Sequence, residues 1–203
     1  MSRYNGPRLK KTRRLGILPG FTNKKNKVKS NIKRKKDFKI KSTYYIRLKE
    51  KQKLRFNYIL TEQQLLKYIN TSLKYNRTGN KFLLKLLNTR LDSIIFCLGM
   101  ASTIIAAKQL ILHKHILVNG RIMNIPNYFC KSNDIITTRN KEKSKFIIQN
   151  SIFLSQQKPL AKHLKINSLH NRGLITEIKK LENIEIGFTI NELLIVEYYS
   201  LKT

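Results

Sequence analysis

Few residues in this chain have the type and spacing that chemistry demands. His113 and His115 flank Lys114 two positions apart, with no carboxylate beside them in sequence. They lack the partners of a metal centre or a general base, so contact with a phosphate or a base edge suits them better. Cys97 and Cys130 lie far apart among apolar or aromatic neighbours. That spacing fits neither a disulfide framework nor a zinc site, and it reads as two small buried thiols in a reducing compartment. Asp92 follows Arg90 at a helix start, where a carboxylate favours the helix dipole. Gly16, Gly20 and Gly79 form no phosphate-cradling motif, and the acidic residues are too dispersed for a two-metal or acid–base pair. No catalytic residue, metal or cofactor is expected.

What remains is charge. The 203 residues hold 42 Lys and Arg against 11 Asp and Glu, a formal net charge of +31. Such a chain repels itself when compact and calls for a polyanionic partner. Nucleic acid qualifies, because each neutralised phosphate releases condensed counterions. A membrane does not. The longest uncharged window, Ser93 to Ala107, is shorter than the roughly 18 to 20 residues of a span and contains Gly99 and Ser102. No secretory signal precedes it, since the first twenty residues carry six basic side chains and no apolar stretch.

The charge is unevenly placed. Residues 1–55 carry 21 basic side chains against Asp37 and Glu50 alone, and ten of the 21 fall between Lys24 and Lys41. With so few apolar residues that run cannot fold by itself, so residues 1 to about 42 read as an arm ordered only by its partner. From Tyr44 the pattern becomes helical. Tyr44 to Phe56 mixes Tyr45, Leu48 and Leu54 with Arg47, Lys49, Lys51, Lys53 and Arg55. Thr61 and Gln64 form a capping box before a second helix with Leu65, Leu66, Ile69 and Leu73 on one side. Phe82 to Leu87 makes a third. This unit is too small to hold a large core alone.

Leu91, Ile94, Ile95 and Leu98 form another stripe, which Gly99 ends. Ser102 or Thr103 caps the following helix, whose inward face is Ala107, Leu110 and Ile111, leaving Lys108 and Gln109 free to reach a partner. Asn119-Gly120 between two β-prone runs signals a hairpin with a type I′ turn. Short strands are expected at Tyr128–Cys130 and Ile135–Thr138, giving a helix-turn-helix that leads into a small antiparallel sheet. Phe146 to Leu154 satisfies either a helical or a strand period. His163–Ile166 and Leu174–Ile178 suggest strands. Ile190 to Ser200 reads as a short helical turn ending in an apolar run, docked against a core.

The run from Arg90-Leu91-Asp92 through Leu98-Gly99, Ala107-Lys108-Gln109-Leu110-Ile111 and His115 to Arg121 resembles an RNA-binding module. It is the module of the family formed by the fourth protein of the small ribosomal subunit. The opening Ser2 to Arg8, Arg13 to Gly16, Leu48 to Arg55 and the ending Asn191 to Ser200 are similar to that family too. The resemblance implies an α+β fold in which the C-terminus completes a helical domain (44–88 plus about 188–203). The module is inserted at 89–187, with its core at 89–150, and a basic extension occupies 1–43. It implies a primary binder of the 5′ domain of small-subunit rRNA, near the opening where mRNA enters, beside small-subunit proteins three and five. Carried over residue by residue, the RNA contacts are Arg3, Tyr4, Pro7, Arg8, Lys10, Lys11, Arg13, Arg14, Lys24 and Lys25 in the arm. Arg47, Lys49, Lys51, Lys53 and Arg55 follow in the basic helix. Arg90, Lys108, Gln109, His113, Lys114 and Arg121 belong to the module. Lys36, Lys39 and Lys41 are assigned to mRNA.

Two departures from the family matter. Some members hold zinc through N-terminal cysteines, and this chain has none before Cys97, so no zinc is expected. Many bacterial members place Arg where Ile104 stands, which weakens that helix start as an RNA contact. Ile104, the preceding Leu98 to Thr103 and the Ile190 to Tyr199 ending resemble the plastid branch. An opening at the family's usual first residues implies no transit peptide, and abundant Lys, Asn and Ile fit an AT-rich organelle genome. A chloroplast protein is therefore expected, with bacterial cytoplasm or mitochondrion as the alternatives. An RNA-modifying enzyme carrying the same module is the competing reading, but only about 80 residues follow Arg121, and they show no catalytic aspartate motif.

Overall fold

The computed structural model describes residues 4, 6–24, 42–75, 82–155, 164–167, 171–176 and 190–201. The described residues form an α+β fold with a small antiparallel sheet. Helix α1 spans Arg8–Leu15, α2 Thr43–Asn57, α3 Glu62–Tyr75 and α4 Phe82–Asn88. Helices α5 (Leu91–Cys97) and α6 (Ile104–Leu112) lead into β1 (Ile116–Val118), β2 (Arg121–Ile122) and β3 (Ile135–Thr138). Then come α7 (Glu142–Ser155), β4 (Leu164–Asn167), β5 (Arg172–Ile175) and α8 (Glu192–Ser200). The strand order is β2-β1-β3-β5-β4. No described helix is long and apolar enough to cross a membrane.

Local chemistry explains most boundaries. The Thr61 hydroxyl accepts from Gln64 N at 3.3 Å, and the Gln64 side chain accepts from Thr61 N at 3.2 Å, closing the capping box before α3. Thr103 caps α6 by accepting from Ala106 N. Asn119 (φ 51°) and Gly120 (φ 79°) both take the left-handed geometry of the type I′ turn, and Val118 pairs with Arg121 across it. Helices α5 and α6 end alike. Gly99 (φ 74°) and Lys114 (φ 60°) each stand in the left-handed position, and the next residue donates back to the carbonyl five before it: Met100 to Ile95, His115 to Leu110.

Two large hydrophobic cores lie among the described residues. The first gathers Leu54 and Tyr58 of α2, Leu65 and Ile69 of α3, Leu83 and Leu87 of α4, and Ile195, Tyr198 and Tyr199 of α8, with α8 laid along α2. The second joins α5 and α6 to Ile116, Val118 and Ile136 of the sheet and to Ile148 and Ile152 of α7. Ile104 is buried in the first core although Ala107, Leu110 and Ile111 of α6 serve the second.

One open reading is settled and two expectations change. Phe146 to Leu154 lies within a helix, since Ser144, Ile148 and Ile152 bury one face at spacings of four. The C-terminal run is also helical. Its Ile195, Tyr198 and Tyr199 reach the core at helical spacing, and the Asn191 side chain caps the first turn by accepting from Leu193 N. Tyr128–Cys130 contributes only a single bridge, Arg90 to Phe129.

The N-terminal segment departs further from expectation. Leu15, Leu18 and Phe21 are buried against Phe56, Ile59 and Ile105, so residues 6–24 pack on the chain itself instead of waiting for a partner. Burying Leu18 and Phe21 contributes about 1.5–3 kcal/mol each. Gly20 stitches this segment between the cores. Its N–H donates to Asn57 Oδ1 at 2.9 Å, and its carbonyl accepts from Ile104 N, at the start of α6, at 2.9 Å. A side chain would not fit there, because a Cβ would come 2.6 Å from both Asn57 O and Ile104 Cδ1. The lysine run from 25 to 41 lies outside the described residues.

Candidate nucleic-acid interface

Helix α1 presents Arg8, Lys10, Arg13 and Arg14 to solvent, while Thr12 and Leu15 face inward. Arg8 stands 5.8 Å over the Phe21 ring, and the half-buried Lys11 lies 5.1 Å from the rings of both Tyr4 and Phe56. These aromatic contacts steady long cationic side chains at a modest energetic gain. Pro7 and Lys24 are exposed at either end, and exposed Tyr4 donates through its hydroxyl to Pro7 O at 3.3 Å.

The module adds a second group. Ile105 of α6 is covered by the N-terminal segment, and the same helix face continues outward at four-residue steps as Gln109 and His113, both exposed. Lys114 follows, held outward by its left-handed backbone, and Arg121 is exposed beyond the hairpin turn. The N-terminal segment thus meets the start of α6 at Ile105, and the exposed Gln109 and His113 lie further along that helix. His115 is turned inward, its Nδ1 2.8 Å from Ser144 Oγ. Burial, then the nearby His113, Arg139 and Lys141, hold its pKa below the ordinary 6.5, so it is neutral at neutral pH.

Other residues expected to bind a partner are engaged inside the fold. Arg90 is fully buried. Its guanidinium donates to Asp92 at 3.0 and 2.6 Å, to Tyr68 Oη at 3.0 Å and to Asn127 Oδ1 at 2.7 Å. Burial opposes its charge, but Asp92 and Tyr68 outweigh that and raise the pKa. Arg90 is therefore a structural strut in the folded chain, which corrects the expectation from sequence. The same correction applies to Lys108. Its ammonium donates to Tyr58 O and Ile59 O at 3.2 and 2.7 Å and lies 3.6 Å from Asp92. Those carbonyls close α2, where Ile59 takes φ 54°, so Lys108 acts as a cation on a helix C-terminus.

On α2, Lys51 is buried, 2.6 Å from Glu62 Oε1 and over the Tyr198 and Tyr199 rings. It braces α2, α3 and α8 together and is not on the surface. Arg55 pairs with Glu62 at 3.3 Å, Lys53 with Glu50 at 2.6 Å and Arg47 with Glu197 at 2.8 Å, all part-exposed. Lys49 is half-buried. Arg3, Lys25, Lys36, Lys39 and Lys41 lie outside the described residues.

Sequence reasoning missed Tyr68 and Asn127 as partners of Arg90, and no local signal marks them. It also passed over exposed Lys141, Lys143 and Lys145 at the start of α7, although their alternation is plain in the chain. Cys130 is buried, and burial pushes its thiol up to about 12, so it stays protonated. Among the described residues no three His, Cys, Asp or Glu side chains gather into a metal-binding group.

A basic helix laid against a helix-turn-helix that feeds a small antiparallel sheet makes this, by class, an RNA-binding protein. Residues 89–136 match the S4 domain, and residues 3–88 match the ribosomal protein S4/S9 N-terminal domain. The chain belongs to the ribosomal protein S4 family. It is 56% identical to the small ribosomal subunit protein uS4c of Dioscorea elephantipes, 55% to that of Triticum aestivum and 54% to that of Oryza sativa. Each alignment covers the whole of both chains.

Proposed function

We propose that this chain is a structural constituent of the chloroplast small ribosomal subunit, where it binds rRNA and neighbouring ribosomal proteins. The observation that carries this is full-length similarity to the uS4c proteins, with both family segments matched in order. The chain is not an enzyme. Its work is phosphate neutralisation by Lys and Arg with recognition of RNA shape, since the A-form major groove is too narrow for side chains to read.

At finer grain, the partner is the multi-helix junction in the 5′ domain of small-subunit rRNA, bound early so that it nucleates assembly. The contacts assigned to it are Arg8, Lys10, Arg13, Arg14 and Lys24 of the N-terminal segment and Gln109, His113, Lys114 and Arg121 of the module. Their common exposure supports this. Arg3 and Lys25 are assigned to the same RNA, and Lys36, Lys39 and Lys41 to mRNA where it enters the subunit. Small-subunit proteins three and five are the protein neighbours. The domain division assigned is 44–88 with about 188–203, an inserted 89–187, and a basic extension at 1–43; the packing of Ile195 and Tyr198 with Leu54, Leu65 and Leu83 supports it. The test is the affinity of the purified chain for a 5′-domain rRNA fragment against tRNA and duplex DNA. Tighter binding to the fragment is expected, and equal affinity for all three would overturn the specific assignment.

A further inference from the structure

Helix α7 is apolar on both sides. Its inward face is Ser144, Ile148 and Ile152, whereas Phe146 and Phe153 on the opposite face are 66% and 73% exposed. Large aromatics facing water on an otherwise amphipathic scaffold are a cost unless something covers them. The two rings are seven residues apart, so they lie about 10.5 Å apart along the axis and within about 20° of each other around it. Exposed Asn150 lies between them on the same side and offers both a donor and an acceptor.

The charge around these rings points to the occupant. Lys141, Lys143 and Lys145 surround the first turn of α7, and all are exposed, with Glu142 as the one acidic residue of the helix. Lysines there oppose the helix dipole, so helix stability does not select them. Aromatic rings with an amide between them and a cationic turn at one end are the equipment of surfaces that bind unpaired nucleotides. Bases stack on the rings, the amide meets base edges and the cations meet phosphates.

We propose that the outward face of α7 is a second RNA contact that stacks unpaired nucleotides on Phe146 and Phe153. This rests on the reading of the chain as an rRNA binder and adds the face of α7, whose start meets the end of α6 through Ser144 and His115. A duplex offers no free base faces to such rings, so the surface selects loops, bulges or splayed strands.

The experiment uses the full chain and a single-stranded oligoadenylate carrying a fluorescent adenine analogue. The wild type should quench the fluorophore on binding. The double variant Phe146→Leu, Phe153→Leu keeps apolar area and the buried face of α7 but has no ring to stack on. It should lose the quenching and bind the single strand at least tenfold more weakly, roughly the effect of removing one base–aromatic stack. Its affinity for a fully paired RNA duplex should be unchanged. Single-strand binding equal to wild type would overturn the proposal. So would a variant that binds RNA normally yet fails to join reconstituted subunits, because that outcome makes the face a protein-docking surface. Failure of the rRNA reading shows separately, as absent preference of the wild type for the 5′-domain fragment.

Discussion

At the scale of single residues, the buried pair Arg90–Asp92 decides more than any exposed lysine. Asp92 accepts from Arg90 and from Ser93 N, with the Lys108 ammonium nearby. Asp92→Asn leaves a buried guanidinium without its counter-charge and should cost about 3–5 kcal/mol. A lower urea midpoint checks it, and an unchanged midpoint would refute the strut role. Lys114 is the opposite case, a residue whose position costs stability. A lysine in the left-handed helix-ending position is strained where Gly99 does the same task freely. Lys114→Gly should stabilise the chain by up to about 1 kcal/mol yet weaken rRNA binding, so thermal unfolding and RNA titration should move in opposite senses. The sequence assigned Lys114 to RNA through the family resemblance, and the structure leaves it exposed. It hid the fate of Arg90, because nothing local says that Tyr68 and Asn127 will meet it.

Helices depend on ties of the same kind. Glu62 opens α3 and accepts from Lys51 of α2 and from the Tyr199 hydroxyl of α8, each at 2.6 Å. Burial raises its pKa, but these hydrogen bonds and the Lys51 charge outweigh it, leaving the carboxyl below the ordinary 4.5. Its contribution is therefore full above that value and is lost as pH falls through the lowered one. Chemical denaturation followed from pH 6 down to pH 3 should show a smaller acid loss in Glu62→Gln than in wild type. The N-terminal segment gives the second test. Gly20→Ala forces a Cβ onto Asn57 O and Ile104, and overpacking of this order costs about 1–3 kcal/mol. Faster proteolysis within residues 8–21 should accompany the loss. Caps, the Asn119-Gly120 turn and the helical stripes of α3, α5 and α6 were readable because each depends on neighbours in sequence. The packing of α1 was not. Three apolar residues, Leu15, Leu18 and Phe21, are too few to announce a core, and their partners Phe56 and Ile105 lie far along the chain.

For the molecule as a whole, the +31 charge acts in two opposed ways. Without RNA it repels itself, and added salt screens that repulsion. With RNA it supplies the counterion release that salt weakens. The melting temperature of the free chain should therefore rise with NaCl while rRNA affinity falls. Arg13→Gln with Arg14→Gln should flatten the salt slope by roughly 0.7–0.9 for each phosphate that is no longer neutralised. A melting temperature that falls with salt would contradict this account of the charge. The Gly20 stitch has a consequence for synthesis as well. Gly20 leaves the translating ribosome about 84 residues ahead of Ile104, whose amide it must receive. At about 5–20 residues per second, its carbonyl waits several seconds without that donor. The N-terminal segment thus settles only once α6 has been made, and losing it would take from the Ile104 amide its acceptor at the start of that helix.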